Sequence, residues 1–235
     1  NAKAEEPWLR QLCTELIDEF IERGECDLSH ELLTALPARW ILEALGWAPE
    51  RWPEWIEWIH TSIHDRAQDP VKTEAALNSI FSNIMVEIEK RKAEPGDDLC
   101  SQVINARPGG EPMTDQQIMM YCYLLLLGGM DTTAGLTGNV IELLNERHDL
   151  RQRLIDEPEI LPQATEEFLR FESPSYGLYR TVMRDAEFHG QPLKKGDRVM
   201  LMFPAAGLDP AQYGNPDEVV FEREGNRHMA FGLGP

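Results

Sequence analysis

Positive charge is scarce in this chain. Lys and Arg total 22 against 41 Asp and Glu, for a net charge of −19. A surface of that sign argues against a nucleic-acid partner, which needs a basic face. Long apolar runs are missing too. The run Leu124–Leu127 with its neighbours falls well short of the roughly 20 residues that cross a bilayer, so no membrane association is expected. No leader peptide is legible in the first residues, although residue 1 is Asn rather than Met. Cysteine is sparse: Cys13, Cys26, Cys100 and Cys122 fit neither a paired metal motif nor a dense disulfide framework. Buried reduced thiols in a cytoplasmic protein are the expectation. There is no internal repeat and no low-complexity stretch.

What is present is mostly helical patterning. Leu9, Leu12, Leu16, Ile17 and Phe20 recur at helical spacing over 5–23, and Gly24 ends them. Further helices are expected over 32–45, with Pro37 in a first turn or kink, then 52–65, 69–92 and 97–106. Thr114-Asp-Gln-Gln117 is a capping-box pattern. It opens one long central helix to about Glu146, with shorter helices over 147–156 and 159–172. After Ser173-Pro174 the character changes to short strands, over 180–184, 186–189 and 198–202, and then to irregular chain from Pro204. The expectation is a mainly α fold with a small β region. It forms one domain over 1–235, helical to 172 and β or irregular from 173.

Within the long helix stands Gly128-Gly-Met-Asp-Thr-Thr133. Each glycine in a helix interior costs about 1 kcal/mol relative to alanine, and Asp131 and Thr132 add polar groups at the same place. The Thr132 hydroxyl can bond the carbonyl of Gly128 and open the helix locally. The bare backbone of Gly128 and Gly129 then admits a flat ligand or a diatomic molecule, beside an acid–alcohol proton relay. A glycine cap with a new helix starting at Asp131 fits the same residues. Glu167-x-x-Arg170 puts opposite charges on one helix face, a spacing that Glu224-x-x-Arg227 shares. Phe231-Gly-x-Gly234 is a tight turn after His228. His60 and His64 sit four apart on a helix, but the sequence offers no obvious third ligand for a metal.

Taken in order, Gly128-Gly-Met-Asp-Thr-Thr133, Glu167-x-x-Arg170, Arg180, Lys195-Gly-Asp197, His228 and Phe231-Gly-x-Gly234 resemble the cytochrome P450 family over essentially the whole chain. Soluble bacterial members, the camphor-hydroxylating group among them, are the most similar. The resemblance implies a P450-type α-rich fold and heme b as cofactor. It implies that Gly128 and Gly129 leave room for dioxygen over the heme, with Leu124 on the same face. Asp131 and Thr132 would deliver the protons. Glu167 and Arg170 would form a buried structural pair. Arg180 and His228 would bond the heme propionates, and Ala230, Phe231 and Gly232 would line the proximal face. Leu124, Leu127 and Tyr176 would face substrate.

The same resemblance implies a partial domain. The family's axial cysteine is expected three places beyond Pro235, and none of the four cysteines present lies in that motif. Gly207-Leu208 stands where Asn-Arg is more common before Asp209-Pro210. The implied activity is insertion of one oxygen atom of O₂ into a small apolar, terpenoid-sized substrate. Electrons would come from NAD(P)H through a ferredoxin reductase and a ferredoxin. A peroxide-using or O₂-independent heme enzyme of the same fold is the rival, and Asp131-Thr132 argues against it. A non-catalytic helical fragment is the other.

Overall fold

The computed structural model of the chain describes residues 2–233. They form two compact units, 1–134 and 135–235. The division falls inside a helix, whereas the change from helix to strand and loop comes after Phe171.

The first unit begins with α1 (Ala2–Asp18), ended beyond a short 3-10 turn by Gly24 at φ +72°. A π turn over Ser29–Thr34 then leads into α2 (Ala35–Ala44). Pro37 accounts for the wide turn: it cannot donate to the carbonyl four residues back, and its ring crowds that oxygen. Next come α3 (Trp52–His64), α4 (Pro70–Ala93), α5 (Leu99–Asn105) and α6 (Asp115–Glu146). Their starts are fixed by side chains. Asp69 accepts from the Lys72 N–H at 2.9 Å, and Asp98 from that of Ser101 at 2.7 Å. Thr114 and Gln117 cap each other reciprocally, at 3.3 and 2.8 Å.

The core of this unit follows from spacing. Ile80, Ile84 and Ile88 on α4, and Ile118, Cys122, Leu126 and Met130 on α6, recur every four residues and are all buried. They close around Trp55 and Ile59 of α3. Each buried aliphatic side chain of that size contributes about 1.5–3 kcal/mol. Cys100 and Cys122 are buried here, as expected, and hydrogen bonding to Cys100 together with burial pushes the Cys122 thiol up. Cys26 is exposed and Cys13 half-buried, so burial holds for only two of the four thiols.

The second unit holds the end of α6, then α7 (His148–Asp156), α8 (Leu161–Phe171) and four short strands. These are β1 (Gly177–Thr181), β2 (Ala186–Phe188), β3 (Gln191–Leu193) and β4 (Arg198–Met202); the short helix α9 (Phe203–Gly207) follows. β1 pairs antiparallel with β4, Arg180 opposite Val199, and β2 pairs with β3. The first strand starts three residues before its expected Arg180. Beyond Thr181 the pairing ends at Val182, whose N–H donates to the Asp197 carbonyl and whose carbonyl accepts from the Gly196 N–H. β3 was not expected; His189 and Gly190, both at positive φ, form the two-residue turn that folds it back on β2. A side chain at Gly177 would collide with the Leu201 carbonyl, so only glycine permits that closeness of β1 and β4. No helix among the described residues is long and apolar enough to cross a membrane.

Candidate functional site

α6 is one continuous helix through the glycine pair, with no cap at Gly129 and no fresh start at Asp131. The Thr132 hydroxyl donates to the Gly128 carbonyl at 2.9 Å, the back-bond that the sequence suggested. The two glycines play different parts. A Cβ at Gly128 would meet nothing within 4 Å, so this position faces open space. A Cβ at Gly129 would lie 2.8 Å from Ile41 Cγ1, so this glycine serves the close approach of α2. The expectation that both glycines open a groove therefore fits Gly128, while Gly129 is taken by packing.

Asp131 points at α3. Its Oδ1 lies 3.3 Å from His60 Nε2, and its Oδ2 3.9 Å from His64 Nε2. The His60 hydrogen bond holds its carboxyl below the ordinary carboxylate range against the opposing effect of burial, and the charges of both histidines add to this. The histidine pair thus has the third partner that its own sequence neighbourhood lacked. On the same helix, Leu124 is 62% exposed and Leu127 partly buried. With Met120, Tyr121 and Tyr123 they line a largely apolar groove of about 500 Å³.

In the second unit Glu167 and Arg170 are fully buried on α8. Arg170 donates to both Glu167 oxygens, from Nε at 2.9 Å and Nη2 at 2.8 Å. Its remaining donors reach the carbonyls of Gly207, Pro216 and Glu218 at 2.7–2.9 Å. Glu167 also accepts from the Val220 N–H at 2.9 Å, Arg223 Nε at 3.0 Å and Asn226 Nδ2 at 3.2 Å. Burial alone would raise the Glu167 carboxyl. The bonds from Arg170, Val220 and Arg223 outweigh it and hold the group below its ordinary value. Arg223 and Asn226 escaped the sequence reading because they join this cluster from irregular chain more than fifty residues on. The one available signal was that a buried carboxylate has about four lone-pair sites, and a bidentate arginine fills only two of them.

Arg180 stands exposed on β1. Among the described residues it makes one hydrogen bond, to the Tyr179 carbonyl at 3.1 Å, and no ion pair. Its donor-rich guanidinium suits a carboxylate ligand. The side chain of His228 is only 8% exposed. Its Nδ1 accepts from the Ala230 N–H at 3.3 Å, which leaves the proton on Nε2, 3.0 Å from Glu166. A protein carboxylate, that of Glu166, thus faces the histidine that the resemblance assigns to a propionate. Ala230 is buried and Phe231 is 78% exposed. Gly232 at φ +76° turns the chain against the Phe203 ring. Tyr176 is 77% exposed.

These residues fit a heme in chemistry. The α6 set offers an apolar face with a gap at Gly128. The second set offers an exposed aromatic ring, a glycine turn and an uncommitted arginine.

Comparison with known proteins agrees. The family model described as Cytochrome P450 matches residues 48–235. The steroid C26-monooxygenase of Mycolicibacterium smegmatis is 36% identical over 95% of this chain and 57% of its own length. The protein of the same name from Mycobacterium tuberculosis is 35% identical over all of this chain and 64% of its own length. Among solved structures, CYP109E1 of Bacillus megaterium in complex with testosterone is 30% identical at a TM-score of 0.88, over 99% of this chain and 62% of that one. The polyketide synthase cytochrome P450 PksS of Bacillus subtilis is 26% identical at a TM-score of 0.92. The chain therefore spans less than two thirds of the length of these relatives. On the strength of the family match and of these identities, the chain belongs to the cytochrome P450 family, whose members bind heme b.

Proposed function

We propose that this chain is part of a bacterial heme-thiolate monooxygenase acting on a bulky apolar substrate of steroid size. The observation that carries the reading is the continuous helix α6, with its Thr132–Gly128 back-bond beside an open face at Gly128. Thiolate-bound heme supplies the oxidative chemistry in this family. This chain's own residues bind, orient and move protons.

Gly128 leaves the space in which dioxygen sits. The Thr132 hydroxyl, tied to Gly128 by one bond, keeps lone pairs and can pass a proton from its position beside that space. Asp131, ionised and half-buried, exchanges protons between solvent and the helix. Arg180 anchors a propionate, His228 does so once its Nε2–H leaves the exposed Glu166 carboxylate, and Ala230, Phe231 and Gly232 shape the proximal surface. Leu124 and Leu127, with Tyr176, contact substrate, and the apolar groove beside α6 excludes water from it.

Steroid size is favoured by the 36% identical relative, a steroid C26-monooxygenase, and by the testosterone held by a structural neighbour. It is a larger substrate than the terpenoid suggested by the sequence. Electrons reach the heme from NAD(P)H through a ferredoxin and its reductase.

The test is spectroscopic. The full-length, heme-loaded protein, which includes the position three places beyond Pro235, should show, reduced under CO, the red-shifted Soret band of a thiolate-ligated heme. Titration with a panel of steroids and terpenoids should then shift the ferric spectrum on binding. A Soret band at the position typical of histidine-ligated heme removes the monooxygenase reading. Shifts from terpenoids alone remove the steroid assignment.

A further inference from the structure

We propose that His60, His64 and Asp131 form a binding site for a divalent transition metal, zinc in particular, which bridges α3 and α6. The two histidines lie four residues apart on α3, so both rings project from one face of the helix. The rings stand 5.5 Å apart at 70°, so they do not stack on each other. Both Nε2 atoms turn toward the carboxylate of Asp131. One ligand atom from each residue lies within 4.8 Å of the other two.

Zinc bonds of about 2.0–2.1 Å place tetrahedral ligand atoms roughly 3.3–3.4 Å apart. The His60–Asp131 separation of 3.3 Å already matches. The His64 ring must move inward, and its side chain, 60% exposed, is free to turn. Two imidazole nitrogens and one carboxylate oxygen select zinc, cobalt, nickel or copper over magnesium and calcium, which take oxygen ligands. Three protein ligands leave a fourth position for water. All three side chains reach solvent, so the ion has an entry path.

The site stands on geometry alone. Its consequence for turnover rests on the proton-relay reading of Asp131. A metal there holds both the carboxylate and α3, and the carboxylate is then withdrawn from proton exchange.

The experiment uses the untagged, full-length, heme-loaded protein, stripped with EDTA and titrated with Zn²⁺ by calorimetry and with Co²⁺ by visible absorption. One equivalent of zinc, the d–d bands of tetrahedral cobalt and a zinc-dependent rise in Tm support the site. His60→Ala, His64→Ala and Asp131→Asn should each weaken binding at least about tenfold. The exposure of His64 keeps His64→Ala informative even if the Asp131 variant is unstable. Absence of saturable binding, or equal binding by all three variants, overturns the proposal. Steady-state turnover separates the two readings. Zinc binding with unchanged turnover keeps the site and removes the relay. Impaired turnover in Thr132→Ala, without any metal binding, keeps the relay and removes the site.

Discussion

Glu167 and Arg170, one helical turn apart on α8, meet through two hydrogen bonds of 2.8 and 2.9 Å with neither side chain exposed. Removing one partner leaves a charge in the interior. Arg170→Ala or Glu167→Ala should therefore cost about 3–5 kcal/mol in denaturant unfolding. Arg223→Ala should cost less, about 1–3 kcal/mol, because Glu167 keeps its Arg170 and Val220 donors. Equal stability of all three variants with the parent would show that the cluster does not hold the fold.

The same carboxylate sets an acid limit. The Glu167 carboxyl lies below its ordinary value of 4.5 when folded. Its contribution is complete above the unfolded value and is lost as pH falls through the depressed folded one. Unfolding free energy should hold level from neutral pH down to about 5 as far as this group is concerned, then drop. In Glu167→Gln the low-pH drop should be shallower. Parallel pH curves for the two proteins would assign the acid sensitivity to other groups.

The two glycines of α6 should separate stability from function. Gly129→Ala pushes a methyl group into Ile41 and should cost about 1–3 kcal/mol, with partial recovery in the double variant with Ile41→Val. Gly128→Ala meets open space and should leave the fold unchanged or gain up to about 1 kcal/mol. It should nevertheless lower the affinity of the reduced heme for CO, because its methyl group enters the space assigned to the diatomic ligand. Equal stability of the two variants would contradict the packing at Gly129.

Thr132→Ala should retain heme and fold and raise the fraction of electrons lost to hydrogen peroxide, measured against NAD(P)H consumed. Thr132→Ser, which keeps the hydroxyl, should restore most of the coupling. Identical coupling in both variants would locate proton delivery elsewhere.

Arg180→Ala removes an exposed guanidinium with a single internal hydrogen bond. Stability should stay within about 0.5 kcal/mol of the parent, while heme is lost faster to apomyoglobin. Unchanged heme transfer would take Arg180 out of the propionate set.

The helices and the long α6 were legible because their signals are local. Asp69-Pro70 before a helix start, the Thr114–Gln117 box and residues at i, i+4 carry the information in adjacent positions. The Thr132 back-bond was legible for the same reason. What stayed hidden depends on chain far away in sequence. Nothing near Gly129 announces Ile41, nothing near Asp131 announces His60, and nothing near Glu167 announces Arg223. The hairpin turn at His189–Gly190 was half visible through its glycine. Its three-residue strand β3 contains Pro192, which strand patterns disfavour.

Arg170 and Arg223 between them bond the carbonyls of Gly207, Gly214, Asn215, Pro216 and Glu218. That stretch has no strand or long helix to occupy its own carbonyls. It is therefore a guest held by Arg170 of its host α8 and by Arg223 of the irregular chain itself. Such a segment orders only once its host is in place. Its amides should be among the late ones to gain protection during refolding, and among the first to exchange when α8 frays.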